Sequence, residues 1–268
     1  MTALSELGVT EFLTLQRAGF LPCGLVVGTC VYSAGSQYDW NVTTGEITAL
    51  TNGIRSAREY AIQRMNKRAK ALNADGVVDV RLDVEHHLWR GGRQVAKAIA
   101  VGTAVQFNSS HAPPRLRNAP SLRLAHGEPF SSDLSGGDFV TLLAAGYRPV
   151  AVASGTCVYG LDPRTLRNYR GRDEEIREYT QAFFEAREKA MEVLQKQVLS
   201  GFSPSSPDHP VGVVGMTVSE QTYGGAGASG PPIVEFSAIG TAVALLADDD
   251  PRRTLPEMKP VIAVPLDR

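Results

Sequence analysis

Two long stretches of this chain place apolar residues at three- and four-residue steps, the spacing of one helix face. In the first these are Ile54, Ala57, Ala61, Met65, Ala69 and Leu72; in the second, Ile176, Tyr179, Phe183, Ala186, Ala190, Leu194 and Val198. The opposite side of the first helix carries Arg55, Arg58, Glu59, Lys67 and Lys70, which reads as a solvated face. Runs rich in Val, Thr and Tyr predict strands at 24–32 and 151–159, and closing strands at 95–106 and 234–246. Between helix and closing strand in the first half, Val78, Val80, Leu82, Val84 and His86 alternate with Asp79, Arg81, Asp83, Glu85 and His87. That pattern predicts a strand with one apolar face. Brief helices at 9–18 and 138–145 are expected to end at Gly19 and Gly146, each a left-handed C-cap.

The elements come in the same order twice because the sequence is written twice. Gly28-Thr29-Cys30-Val31-Tyr32 returns as Gly155-Thr156-Cys157-Val158-Tyr159, 127 positions on, and Phe12, Gly19 and Pro22 match Phe139, Gly146 and Pro149 at the same offset. Ala57-Arg58-Glu59 matches Ala186-Arg187-Glu188 at 129, Gly76-Val77-Val78 matches Gly212-Val213-Val214 at 136, and residues 100–105 match 238–243 at 138. The offset only grows, so copy two has longer loops; the largest step falls in the proline- and serine-rich 202–210. Each copy reads as helix, strand, long helix, strand, strand, an α+β unit. The expected boundaries are 1–108 for domain one, 109–128 for a Pro- and Arg-containing linker, 129–247 for domain two and 248–268 for a tail. Residues 261–264 within that tail read as a short edge strand.

The residues themselves resemble the YbjQ-like family, whose members carry a heavy-metal-binding label. The resemblance rests on Val27-Gly28-Thr29, on Ala71-Leu72-Asn73-Ala74-Asp75-Gly76-Val77-Val78, and on Val101-Gly102-Thr103-Ala104-Val105. Copy two keeps the first and last of these, and replaces the middle one with Gln197-Val198-Leu199-Ser200-Gly201 and a long loop. It implies tandem β-α-β-β, dodecin-like domains that assemble into rings, typically of five subunits. A small sheet with a single covering helix has one face and both edges open, which fits association.

Composition narrows the chemistry. Apolar content of 43% and charged content of 21% are those of an ordinary globular chain; net charge is −1 and the pI about 6.5, so no global field draws nucleic acid. No apolar run reaches bilayer length, and the first residues lack the basic and apolar regions of a signal peptide. A cytoplasmic protein with reduced thiols is expected. Cys30 and Cys157, equivalent in the two copies, are the candidate ligands for a soft divalent metal, with His86 as a third. No CxxC, HxxxH or HExxH spacing supports them. The acidic Asp79, Asp83 and Glu85 have Gly215, Ser219 and Gln221 as counterparts, so they read as a solvent or subunit-contact face. The glycine-rich 223–230 reads as a hairpin tip, and there is no Gly-x-Ser-x-Gly. Aromatics near strand ends (Phe20, Tyr32, Trp40, Trp89, Tyr147, Tyr159) suit subunit interfaces or core packing. The expectation is a non-enzymatic scaffold without cofactor whose partner is itself, in a five-fold ring. The alternatives are a metal-binding or metal-sensing module using Cys30 and Cys157, and a small-molecule binder in a ring pore or subunit cleft.

Overall fold

The computed structural model describes residues 5–36, 44–89, 93–162, 164, 173–223 and 232–255. Copy one contains α1 (Val9–Arg17), β1 (Phe20–Ser36), β2 (Gly45–Glu46), α2 (Thr48–Ala71), β3 (Gly76–Trp89) and β4 (Arg93–Phe107). Copy two contains β5 (Phe130–Ser131), α3 (Gly136–Ala144), β6 (Tyr147–Gly160), α4 (Arg177–Ser200), β7 (Gly212–Tyr223) and β8 (Ile233–Leu245). The expected α+β order holds in both copies, with two short strands added. Gly19 and Gly146 stand at φ 85° and 87°, the left-handed conformation that a residue without a β-carbon adopts freely. Trp40, the glycine-rich 224–230 and the strand expected at 261–264 lie outside the described residues.

In each copy the long strands form an antiparallel sheet with the closing strand in the middle, β1-β4-β3 and β6-β8-β7, and the long helix lies along one face. The repeated glycine makes that seat possible. A β-carbon on Gly28 would collide with the carbonyl oxygen of Ala61 on α2, and one on Gly155 with that of Ala190 on α4. Alanines on the helices complete the close approach: Ala57, Ala61 and Ala69 in one core, Ala182, Ala186 and Ala190 in the other.

The two short strands are exchanged. β2, from copy one, extends the sheet of copy two beside β6, with Gly45 opposite Gly160 and Glu46 opposite Tyr159. β5, from copy two, runs parallel to β3 of copy one, with Gly76 opposite Phe130 and Val77 opposite Ser131. Each sheet is finished by a piece of the other copy.

The single apolar face expected from Val78 to Val84 breaks at a bulge between Val78 and Arg81, where Asp79 takes φ 53°. Val80, Leu82 and Val84 pack under α2, whereas Val78 is turned to the other side. The bulge aims the N–H groups of Asp79 and Val80 outward at the carbonyls of Leu134 (2.9 Å) and Ser132 (3.0 Å) in copy two. Copy two bulges at the equivalent place, between Val214 and Thr217, with Gly215 at φ 67°.

A further core joins the copies. Leu15, Phe20, Phe130, Phe139 and Leu143 meet there, with Phe20 edge-on to Phe139 at 5.1 Å and Phe130 stacked on it at 5.5 Å. Residues 109–128, read as a linker, contribute Leu116 and Leu122 to this core, fully buried. Arg123 of the same segment pairs with Asp75 at 3.2 Å. The start of the tail is held as well: buried Arg252 lies 3.3 Å from Asp250 and donates to the Pro120 carbonyl.

Candidate assembly interface

The face of the copy-two sheet that α4 does not cover is covered by α2 of copy one. Along β6, Val152, Ser154, Thr156 and Val158 point to that side, and none is more than 5% exposed. Arg58 of α2 reaches down between them. Its guanidinium donates to the Thr156 hydroxyl and to Ser237 Oγ (3.0 Å), and lies 3.8 Å from Glu235 Oε1, which also accepts from Ser237 (3.1 Å). The sequence placed Arg58 on a solvated face; it is 4% exposed. The helix has two covered sides, and because the second contact is polar its pattern is the same as that of a side facing water. A buried pair of this kind adds little net stability, but removing one member strands a charge, so it fixes which surface lies opposite which.

Copy one also closes the free edge of β6. Ile47 N–H donates to the Val158 carbonyl (2.8 Å), and Thr51 Oγ1 accepts the Val158 N–H (3.0 Å). From copy two, Ser131 Oγ takes the Val152 N–H at 3.1 Å and Gln197 Oε1 the Ser154 N–H at 3.0 Å. An exposed row of edge amides would otherwise be a template for foreign strands. Every residue of Gly155-Thr156-Cys157-Val158-Tyr159 thus has an assignable task. Gly155 seats the helix, Thr156 receives Arg58, Cys157 fills the helix-side core, and Val158 binds copy one through its backbone. Tyr159 pairs with Glu46 and donates its hydroxyl to Glu185; burial, reinforced by that carboxylate, pushes its pKa up to about 12.

In copy one Gly28 and Cys30 are buried under α2 in the same way, but the residues between and after them are uncovered. Thr29 is exposed, Val31 is 54% exposed against 0% for Val158, and Tyr32 37% against 6% for Tyr159. Copy two, in turn, carries a second set of the gripping groups. Ile176, Thr180 and Arg187 stand where Ile47, Thr51 and Arg58 stand in copy one. Ile176 already holds the same backbone, φ −84° and ψ 83° against −87° and 78°. Arg187 is exposed, beside Phe184 at 54%. The Ile-x-x-x-Thr and Ala-Arg-Glu repeats were readable in the sequence. What they touch was not.

The candidate metal ligands fall elsewhere. Cys30 lies in the core under α2 and Cys157 in the separate core under α4. Burial, with the charge of Glu46, pushes the Cys157 thiol up to about 12, which keeps it protonated, whereas a metal takes the thiolate. The backbone of His86 pairs opposite Ala96; its side chain lies outside the described residues, as does that of Trp89. Among the described residues no three His, Cys, Asp or Glu side chains are grouped so as to hold an ion. Two of the three acidic residues read as a contact face are paired with bases, Asp79 with Arg81 at 3.3 Å and Glu85 with Lys97 at 2.9 Å. No described helix is long and apolar enough to cross a membrane.

A YbjQ family model described as "Putative heavy-metal-binding" matches residues 21–108, the sheet and long helix of copy one. An encapsulin nanocompartment protein of Mycobacterium tuberculosis is 39% identical over 243 residues, 89% of this chain and 84% of that one, a span that takes in both copies. The chain belongs to the YbjQ-like family. UPF0145 proteins of Halobacterium salinarum and Natronomonas pharaonis are 42% and 41% identical over 65 and 67 residues. Those matches cover 24% and 25% of this chain, and 59% and 61% of the relatives, each about the size of one YbjQ-like repeat.

Proposed function

We propose that this protein is a structural component that assembles with copies of itself into a closed ring or shell, with no reaction of its own. The observation that carries this reading is the bare copy-one sheet. Its strand β1 repeats the sequence that copy two buries, while α4 of copy two repeats the groups that do the burying. Two such surfaces at opposite ends of a chain form a heterologous pair, which propagates from chain to chain until it closes. Similarity over most of its length to an encapsulin nanocompartment protein supports a shell as the closed form. Light scattering during size-exclusion chromatography at micromolar concentration is expected to give a mass several times the 28.8 kDa of one chain. Electron micrographs of the same peak are expected to show hollow, closed particles. A monodisperse single chain would overturn the proposal, and open, irregular aggregates would overturn the closed form.

A further inference from the structure

We infer that a second copy of the chain docks by repeating, at the chain ends, the joint that already links copy one to copy two, with α4 of one chain laid across the copy-one sheet of the next. This rests on the assembly reading and names the surfaces that carry it. On α4, Thr180, Phe184, Arg187 and Met191 follow one another at steps of four, three and four, a single stripe equivalent to Thr51, Arg55, Arg58 and Ile62 on α2. On the receiving sheet, Thr29 and Val31 are the equivalents of Thr156 and Val158. The bonds carry over: Ile176 N–H to the Val31 carbonyl of the second copy, Thr180 Oγ1 from its Val31 N–H, and Arg187 to its Thr29 hydroxyl.

The return contact is prepared too. The segment leading into α3 lies across its own sheet through Asp133 N–H to Thr241 Oγ1 (3.0 Å), and from there Leu134 offers its carbonyl to the Asp79 bulge of copy one. The segment leading into α1 lies the same way, Glu6 N–H to Thr103 Oγ1 at 3.4 Å, and Leu7 is the equivalent of Leu134. Its carbonyl then meets the bulge at Gly215 of the second copy, where φ is 67° as it is 53° at Asp79. Met216 and Val218, next to that bulge, are 39% and 51% exposed.

The two joints differ in polarity in a matched way. Inside the chain, a helix stripe with Arg55 and Arg58 meets a sheet with Ser154, Ser237 and Glu235. At the open ends, a stripe with Phe184 in place of Arg55 meets a sheet with Val27 and Ile99 in place of the two serines. Lys97 stands where Glu235 stands, and the carboxylates on that face are Asp83, opposite Ile99, and Glu85, 2.9 Å from Lys97. The second side of α2 is already taken by the copy-two sheet of its own chain, so α4 is the helix left to meet the copy-one sheet and units alternate around the ring. Each chain then adds two units in series, and any closed ring holds an even number of units. Five chains would close a five-fold ring of ten units.

The test is a cysteine pair, Val31→Cys with Thr180→Cys, in a Cys23→Ser background that leaves only buried native thiols. Thr51→Cys with Val158→Cys is the control within one chain, since Thr51 Oγ1 lies 3.0 Å from the Val158 nitrogen. Under mild oxidation the 31/180 variant is expected to run on non-reducing gels as a ladder of chain multiples, and each single variant as one chain. Top views of the assembly are expected to resolve an even number of sheet-and-helix units, two to each chain. If the wild type assembles and the control closes but the 31/180 pair gives no ladder, this joint is wrong and self-assembly stands. If the wild type remains a single chain, both fall.

Discussion

Val158 and Val31 occupy the same place in the same pentapeptide, on the same strand of equivalent sheets, yet one is sealed and the other 54% exposed. Both sit opposite the helix-covered face, and both neighbouring glycines seat a helix against backbone carbonyl oxygen. The difference is only what lies across the remaining face. The comparison separates two kinds of repeated residue. Glycine and cysteine answer to the copy they belong to; threonine and valine of copy two answer to copy one.

Arg58→Ala should separate the two kinds most sharply. It removes the buried guanidinium that lies 3.8 Å from Glu235, and chemical denaturation is expected to show a loss of about 3–5 kcal/mol. Arg187→Ala, its equivalent, is expected to leave the midpoint of the dilute single chain unchanged; equal losses in both would end the distinction. Gly28→Ala and Gly155→Ala form the opposite case. Each crowds its own helix, so both should cost about 1–3 kcal/mol by the same measurement, and a clear inequality would contradict the shared role. Thr51→Ala removes the acceptor of the Val158 N–H, a loss of about 1 kcal/mol in thermal unfolding, while Thr180→Ala should register only in assembly.

The smallest effect concerns pH. Burial raises the Asp133 carboxyl above its usual range, only partly offset by hydrogen bonding. The folded chain therefore holds that proton to higher pH than the unfolded chain does. Stability attached to this group is full below the unfolded pKa and declines as pH rises through the folded one. Asp133→Asn is expected to unfold at slightly higher temperature than the parent at pH about 7, with the gap closing at pH about 3. A gap that persists in acid would mean that the carboxyl does not titrate as described.

The duplication, the element order and the capping glycines were legible because each is a local pattern or an identity between distant stretches. The exchanged strands were not, since Gly45–Glu46 and Phe130–Ser131 are two residues each and carry no periodicity of their own. Asp79 hid its bulge inside a clean alternation: the extra residue changes which face each valine meets without changing the order of apolar and polar letters. Prolines and arginines made 109–128 look like a linker, although its two decisive residues, Leu116 and Leu122, are ordinary core leucines. At the interface the arginines were visible as the matched Ala57-Arg58-Glu59 and Ala186-Arg187-Glu188, while Thr51 and Thr180 share that offset without a motif around them. Their surroundings come from another sheet, and no pattern within one helix encodes that.

The exchange of β2 and β5 has a kinetic meaning. In a relative with a single repeat, a contact of this kind forms only when two molecules meet, at a rate set by their concentration. Fused in tandem, its two sides are tethered and meet at an effective concentration in the millimolar range that dilution does not change. In the assembly proposed above, every second joint is then complete before any encounter between chains. Growth proceeds by half as many collisions, and partial assemblies always contain whole, prepaired blocks.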